Sequence, residues 1–129
     1  MDTGRVLIDT SIILGYLRRK EKENTLLYNL CHAYDELFVS SVTVFEVFYG
    51  CDPEHEAAIS RLFEGFSVIP FDADIARFAS AEYRRLRHAG GYIEVRELVV
   101  GATAIIKQIP LATLNAPAFR QLPDIKIIV

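Results

Sequence analysis

Short β-branched runs alternate with helical patterns along the whole chain, and this alternation constrains the possible folds more than any other feature. Strands that are separated by helices pair in parallel, and helices then cover both faces of the sheet. The sequence therefore predicts an α/β protein with a central parallel sheet of about five short strands. The predicted strands are Val6–Ile8, Leu37–Val39, Ser67–Pro70, Leu111–Ala112 and Ile125–Val129.

The segments between the strands carry helix signals. Asp9 to Ser11 are residue types that begin helices, Asp72 opens the longest helical pattern, and Gly90 with Gly91 ends it. In parallel sheets, functional sites form beyond the carboxyl ends of the strands. The predicted helices are Ile12–Arg19, Glu21–Tyr34, Val42–Gly50, Ala57–Phe63, the long helix that begins at Asp72, and Leu98–Ile106.

Length and composition indicate one folded domain without a membrane span. The 129 residues suffice for a single domain over residues 1–129, and a hydrophobic content of 51% excludes an intrinsically disordered chain. No apolar run approaches the roughly 18–20 residues that span a bilayer, and the N-terminus does not resemble a signal peptide. Cys31 and Cys51 are not spaced as a CxxC pair, which predicts free thiols and a cytoplasmic protein.

The charge balance limits how the chain can meet nucleic acid. A net charge of −3 argues against binding through a broad basic surface, because phosphate neutralisation needs clustered Lys and Arg. A contact with a nucleic-acid backbone and a solvated helix face are both open to one basic set, and the acidic total favours the solvated face: Arg84, Arg85, Arg87 and His88, with Arg18, Arg19 and Lys20. An enzyme that meets phosphates through bound cations is still compatible with this composition.

Three carboxylates stand where parallel sheets build their sites. Asp9 directly follows the first strand, Glu46 lies one turn into the helix after the second, and Glu97 begins the most apolar helix. Acids that converge on one spot repel each other unless a cation neutralises them. Oxygen ligands suit Mg²⁺ or Mn²⁺, and such an ion can activate water against a phosphodiester. The pattern predicts a divalent-metal site.

Each acid also has a structural explanation of its own. Asp9 could cap the helix that follows it, and Glu46 completes a capping box with Thr43. Glu97, in a first helical turn, would complement the helix dipole. The combined placement of the three acids, rather than any one of them, favours the metal site.

The order of four motifs resembles that of a PIN domain, and more narrowly that of the small VapC-type toxins. The motifs are Leu7-Ile8-Asp9-Thr10-Ser11, Ser40-x-x-Thr43-x-x-Glu46-x-x-x-Gly50, Ile93-x-x-x-Glu97-Leu98-x-x-x-Ala102-Thr103-Ala104 and Leu111-x-Thr113-x-Asn115-x-x-x-Phe119. The similarity covers the chain from about Arg5 to Val129. It implies a three-layer α/β/α sandwich and a divalent-metal endoribonuclease that often forms homodimers and is blocked by an antitoxin.

The resemblance also assigns site residues. Asp9 and Glu46 match the first two family acids, and Glu97 stands where the family usually has Asp. The position of the fourth family acid is occupied by Ala118, which cannot bind a metal. The supporting residues for water or phosphate are Thr10, Ser11, Thr113 and Asn115.

The leading hypothesis is therefore a single-domain ribonuclease toxin of a type II toxin–antitoxin pair. Asp9, Glu46 and Glu97 would hold Mg²⁺ or Mn²⁺, and a water activated by the ion would attack the RNA phosphate. The alternative is a PIN-fold protein with an impaired metal site that acts as a binding or regulatory protein, because Ala118 and Glu97 depart from the family pattern.

The apolar content also predicts association into a symmetric homodimer. The alternative to a dimer is that the apolar residues of the early helices pack against the sheet within one monomer. The candidate interface residues are Ile12, Ile13, Leu14, Tyr16, Leu17, Leu26, Leu27 and Leu30.

Overall fold

A five-stranded parallel sheet forms the centre of the molecule. The structure is a computed structural model that describes residues 4–128. The strands follow the order β3-β2-β1-β4-β5, and every neighbouring pair is parallel. They are β1 (Arg5–Ile8), β2 (Glu36–Ser40), β3 (Ser67–Ile69), β4 (Leu111–Ala112) and β5 (Ile127–Ile128).

Seven α-helices connect the strands, with single 3₁₀ turns at Lys22–Asn24 and Pro53–His55. The helices are α1 (Thr10–Arg18), α2 (Leu26–Ala33), α3 (Ser41–Tyr49), α4 (Glu56–Phe63), α5 (Ala73–His88), α6 (Val95–Lys107) and α7 (Ala116–Phe119).

Alternation along β1 divides the core into two halves. Val6 and Ile8 pack with α1 to α4 on one face of the sheet, and Leu7 packs with α5 to α7 on the other. Successive strand side chains point to opposite faces, so a strand covered on both sides must be apolar throughout. The predicted three-layer α/β/α sandwich with a parallel sheet is confirmed.

Most element boundaries lie within two residues of the predicted ones, and three elements differ more. The helix predicted over Glu21–Tyr34 is divided, because Thr25 accepts a hydrogen bond from the Tyr28 amide and starts α2 afresh. Helix α6 begins at Val95, before its apolar stretch. Strand β5 is shorter than the predicted Ile125–Val129, of which Val129 lies outside the described residues. The short helix α7 was not predicted.

Two capping predictions have opposite outcomes. Asp72 accepts a hydrogen bond from the Ile75 amide at 3.0 Å, so it caps α5 as expected. The capping box of Thr43 with Glu46 is wrong, since Ser40 is the cap of α3 and accepts from the Val42 amide. Thr43 and Glu46 are therefore interior helix residues whose side chains are free for other partners.

The structure also describes the two cysteines and the helices that bear on the predictions about thiols and membrane spans. Cys31 is exposed, Cys51 is partly buried, and both are free thiols. Among residues 4–128, no helix combines the length and the apolar character that crossing a membrane requires.

Candidate active site

The predicted site residues collect along the carboxyl edge of the sheet. Asp9 directly follows β1, and Thr113 directly follows β4, which is its parallel neighbour. Because neighbouring parallel strands end at the same edge, these two side chains meet although 104 residues separate them in sequence. Glu46 and Glu97 approach from α3 and α6, which contact each other.

Asp9 is a buried carboxylate held by two hydroxyl groups. Its side chain is 5% exposed, and Oδ2 accepts hydrogen bonds from Ser11 Oγ at 2.8 Å and from Thr113 Oγ1 at 2.7 Å. The residue occupies the N-cap position of α1, but its side chain makes no capping hydrogen bond. The capping explanation for Asp9 therefore fails, and its carboxylate serves the edge of the sheet instead.

The backbone orients both hydroxyl groups. Ser11 Oγ accepts a hydrogen bond from the Leu114 amide at 3.1 Å, and Thr113 Oγ1 accepts one from the Asn115 amide at 2.9 Å. A hydroxyl has one proton to donate, and here each proton is directed at Asp9. Within the structure, Ser11 and Thr113 thus position a carboxylate.

Glu46 has a different partner on each oxygen. Oε1 accepts from Thr10 Oγ1 at 2.8 Å, and Thr10 lies 2.9 Å from Thr43 Oγ1. Since the single Thr10 proton goes to the charged carboxylate, the fully buried Thr43 donates to Thr10. Oε2 forms an ion pair with Arg96 Nη1 at 3.0 Å.

Glu97 lies in the first turn of α6, where its negative charge also complements the helix dipole. Its Oε2 accepts a hydrogen bond from Asn115 Nδ2 at 2.5 Å. Asn115 thereby connects Glu97 to Thr113 and, through Thr113, to Asp9. The structure joins two of the three predicted acids through this chain of hydrogen bonds.

Hydrogen bonds through Thr113 and Asn115 link Asp9 to Glu97, while Glu46 has separate partners in Thr10 and Arg96. Among residues 4–128, the only group of three or more acidic, His or Cys side chains whose ligand atoms all lie within 4.8 Å is Asp52, Glu54 and His55. That group is exposed on the turn before α4 and follows no strand. The assignment of Asp9, Glu46 and Glu97 as metal ligands stays a prediction.

The donor chemistry of the strand edge fits a hard divalent cation. Carboxylate, hydroxyl and amide oxygens are the ligands that Mg²⁺ and Mn²⁺ accept, and Mg²⁺ usually keeps several waters between itself and protein. No basic side chain of the described residues forms an ion pair with Asp9. A buried carboxylate without a cationic partner is costly, and a bound cation would remove that cost.

Acidic charge extends to the approach to α6. The pKa of Tyr92 is raised above its ordinary value, first by the negative charge of Glu94, with smaller contributions that include Glu97. Tyr92 is 68% exposed, so this negative field reaches solvent.

Arg96 was not singled out from the sequence. Its position beside Glu97 in Val95-Arg96-Glu97 was the only available signal, and the pairing with Glu46 depends on α3 lying against α6. Ala118 lies in α7, where its amide donates to the Asn115 carbonyl at 3.3 Å, and its side chain offers no metal ligand.

This fold and this edge of polar side chains define a known class of protein. The model of the PIN domain family matches residues 6–124, and the chain therefore belongs to the PIN domain family. The resemblance stated from the motifs is confirmed.

Individual relatives are similar over nearly the whole chain. Ribonuclease VapC19 of Mycobacterium tuberculosis is 30% identical over 120 residues, which are 93% of this chain and 96% of the relative. Ribonuclease VapC1 of Methanocaldococcus jannaschii is 27% identical over 124 residues, with 95% and 85% covered.

Solved structures share the fold at lower identity. VapBC2 from Rickettsia felis, bound to a DNA fragment from its promoter, superimposes with a TM-score of 0.81 at 18% identity, covering 96% of this chain and 97% of the other. VapBC-5 from Mycobacterium tuberculosis, a member of the VapBC family of toxin–antitoxin systems, gives 0.70 at 20% identity, with 97% and 98% covered.

Proposed function

We propose that this chain is a divalent-metal-dependent endoribonuclease that hydrolyses RNA phosphodiester bonds, acting as the toxin of a type II toxin–antitoxin pair. The observation that carries the proposal is the buried Asp9 carboxylate, which has two hydroxyl donors and no basic partner among residues 4–128. The names of the relatives, which are ribonucleases, support the reaction class. We assign the function to a single domain over residues 1–129.

In this proposal Asp9, Glu46 and Glu97 hold Mg²⁺ or Mn²⁺. The ion would polarise the RNA phosphate and lower the pKa of a water near it. The protein contributes orientation: Ser11 and Thr113 hold Asp9, Thr10 holds Glu46, and Asn115 holds Glu97. Carboxylates that hydrogen bonds already orient lose less freedom when an ion binds, which favours both affinity and rate.

Replacing Asp9 tests the proposal. Purified Asp9→Asn should cleave RNA at least about 100-fold more slowly than the parent in Mg²⁺ or Mn²⁺, and its expression should no longer arrest growth. Asp52→Asn is the matched control, because it removes a carboxylate from the exposed cluster outside the site. A parent that cleaves no RNA with either metal, or an equally active Asp9→Asn, would contradict the proposal.

The second candidate is a PIN-fold protein with an impaired metal site that binds rather than cleaves. Ala118 in place of an acid, and the occupation of Glu46 Oε2 by Arg96, favour it. Calorimetric titration with Mn²⁺ separates the two candidates, since the impaired site predicts no saturable binding at millimolar metal. Saturable binding that disappears in Asp9→Asn would exclude this alternative.

The antitoxin would bind in the groove between α1, α3 and α4. The groove has a volume of about 760 Å³ and reaches Glu46, and its lining combines apolar side chains with Arg18 and Arg61. We propose that a segment of the antitoxin occupies the groove, because the structural neighbours include toxin–antitoxin complexes. The segment should be apolar and acidic, since the lining is apolar and carries two arginines. The apolar lining includes Leu14, Leu17, Val47, Ile59 and Leu62.

Co-purification with the product of the neighbouring reading frame tests this partner. Leu17→Asp should abolish the complex, because it places a charge in the groove. Val68→Asp, an exposed apolar position on β3, should leave the complex intact. Equal recovery of the partner with both variants would place the antitoxin elsewhere.

We also propose a homodimer and a cytoplasmic location. The free thiols Cys31 and Cys51 suit a reducing compartment. Of the early-helix candidates, Ile12, Ile13, Leu27 and Leu30 are buried within the monomer, and the others are only partly buried: Leu14, Tyr16, Leu17 and Leu26. Exposed aromatic side chains on α3, Phe45 and Tyr49, are the better candidates for a contact between copies.

A further inference from the structure

The ion pair between Arg96 and Glu46 divides the two oxygens of Glu46 into an inner and an outer one. The inner oxygen, Oε1, is held by Thr10, which is backed by the fully buried Thr43. The outer oxygen, Oε2, faces Arg96, whose side chain is 63% exposed while that of Glu46 is 14% exposed. One attachment is therefore built into the core, and the other reaches in from solvent.

An exposed arginine is a replaceable partner. An ion pair whose cation stays largely solvated is weak, because water competes for the guanidinium. The hydrogen bond from Thr10 to Oε1, in contrast, does not involve Arg96. Glu46 can therefore exchange the cation at Oε2 while Thr10 still holds Oε1.

Helix α6 carries the arginine directly next to Glu97. Asp9, Glu46 and Glu97 together carry a formal charge of −3. Among residues 4–128, Arg96 is the one basic side chain that forms an ion pair with any of these three acids. Of the two Glu46 oxygens, Oε2 is the one that Thr10 does not hold, so a divalent ion would compete for it with Arg96. Two cations cannot share that oxygen at contact distance without strong repulsion.

From these observations we propose that Arg96 is a built-in counter-cation that occupies Glu46 Oε2 in the metal-free protein and competes with the divalent ion for it. The inference rests on the proposed metal site and adds a residue that sets how much metal is needed to fill it. The guanidinium neutralises Glu46 until the ion displaces it. Removal of Arg96 would leave Glu46 Oε2 without its cationic partner.

Mn²⁺ titration by calorimetry of the full chain tests this competition without relying on activity. Arg96→Gln should bind Mn²⁺ about fivefold more tightly than the parent, the change that corresponds to losing a competing pair of about 1 kcal/mol. Arg96→Lys, which keeps the charge, should fall between the two. Arg77→Gln is the matched control, since it removes an exposed, ion-paired arginine on α5 and should change the affinity by less than about twofold.

The outcomes separate the inference from the proposed function. Tighter binding in Arg96→Gln alone supports the competition, and so does a parent that binds no Mn²⁺ beside an Arg96→Gln variant that does. Equal or weaker binding in Arg96→Gln, with a parent that binds Mn²⁺, would overturn the inference and leave the metal site standing. Absence of Mn²⁺ binding in both proteins, checked for folding by circular dichroism, would overturn both.

Discussion

At the scale of single residues, Thr113 is the point on which the candidate site depends. The Thr113 hydroxyl accepts a hydrogen bond from the Asn115 amide and donates one to Asp9. This one buried oxygen therefore orients the Asp9 carboxylate and also Asn115, whose side chain binds Glu97. Threonine suits this position because its hydroxyl is held in few rotamers. The chemistry that we propose relies on such neutral donors around the acids.

Thr113→Val should therefore weaken the site while preserving the shape of the core. The variant removes both hydrogen bonds, so we expect a loss of about 1–2 kcal/mol in the free energy of unfolding and a roughly tenfold weaker affinity for Mn²⁺. Thr103→Val is the control, because Thr103 is equally buried but bonds only to Val99 of its own helix. Urea denaturation and calorimetry measure the two effects; matching Mn²⁺ affinities for both variants would remove Thr113 from the site.

Glu97 allows a test of charge against geometry. Glu97→Asp should retain or improve the affinity for Mn²⁺, while Glu97→Gln should reduce it by about tenfold, because hard cations are held mainly by charge. Calorimetry with Mn²⁺ measures both affinities. Equal binding by the Gln variant and the parent would show that Glu97 serves only the α6 dipole and the hydrogen bond from Asn115.

At the scale of elements, the sequence predicted the strands better than the partners of the side chains. The parallel sheet follows from alternation, and Asp9 could be placed after β1 because strand ends have a local signature. The pairing of Arg96 with Glu46 and the relay from Thr43 through Thr10 depend on how α3 meets α6 and α1. Such contacts come from tertiary packing, which no local pattern encodes.

Helix α6 also depends on a close approach that only a small residue permits. A Cβ atom at Gly101 would lie 2.4 Å from Leu122 Cδ1 and 3.3 Å from Phe119 Cδ1, and both neighbours are buried. Gly101 therefore lets α6 sit against α7 and the segment after it.

Gly101→Val should lower the free energy of unfolding by about 2–3 kcal/mol, because the added methyl groups overpack this contact. Ala81→Val on the exposed face of α5 is the control, and there only the helix propensity changes, by about 0.5 kcal/mol. Chemical denaturation followed by circular dichroism gives both values. A Gly101 variant no less stable than the control would mean that α7 moves aside freely.

At the scale of the whole molecule, two exposed aromatic side chains on α3 point to association. Phe45 and Tyr49 are 63% and 82% exposed, and their rings stack with centroids 5.4 Å apart on one face of α3. Paired exposed aromatic residues of this kind are enriched in interfaces between proteins.

We expect a symmetric homodimer that buries about 1,000 Å² or more in total. The double variant Phe45→Ser/Tyr49→Ser should sediment as a monomer at micromolar concentration, while the parent sediments at twice that mass. Tyr92→Ser, which removes another exposed aromatic ring, serves as the control. A parent protein that sediments with the mass of one chain would contradict the dimer. A double variant that still sediments as a dimer would show that the interface lies elsewhere on the surface.

The placement of β4 next to β1 has a consequence for the time at which the chain becomes active. Asp9 leaves the ribosome early, yet Thr113, which orients it, is synthesised 104 residues later and pairs with it only once β4 has joined the sheet. Domains acquire such long-range contacts only after the last participating segment has emerged. Under the function proposed above, the acid site is therefore incomplete for as long as the message is still being translated.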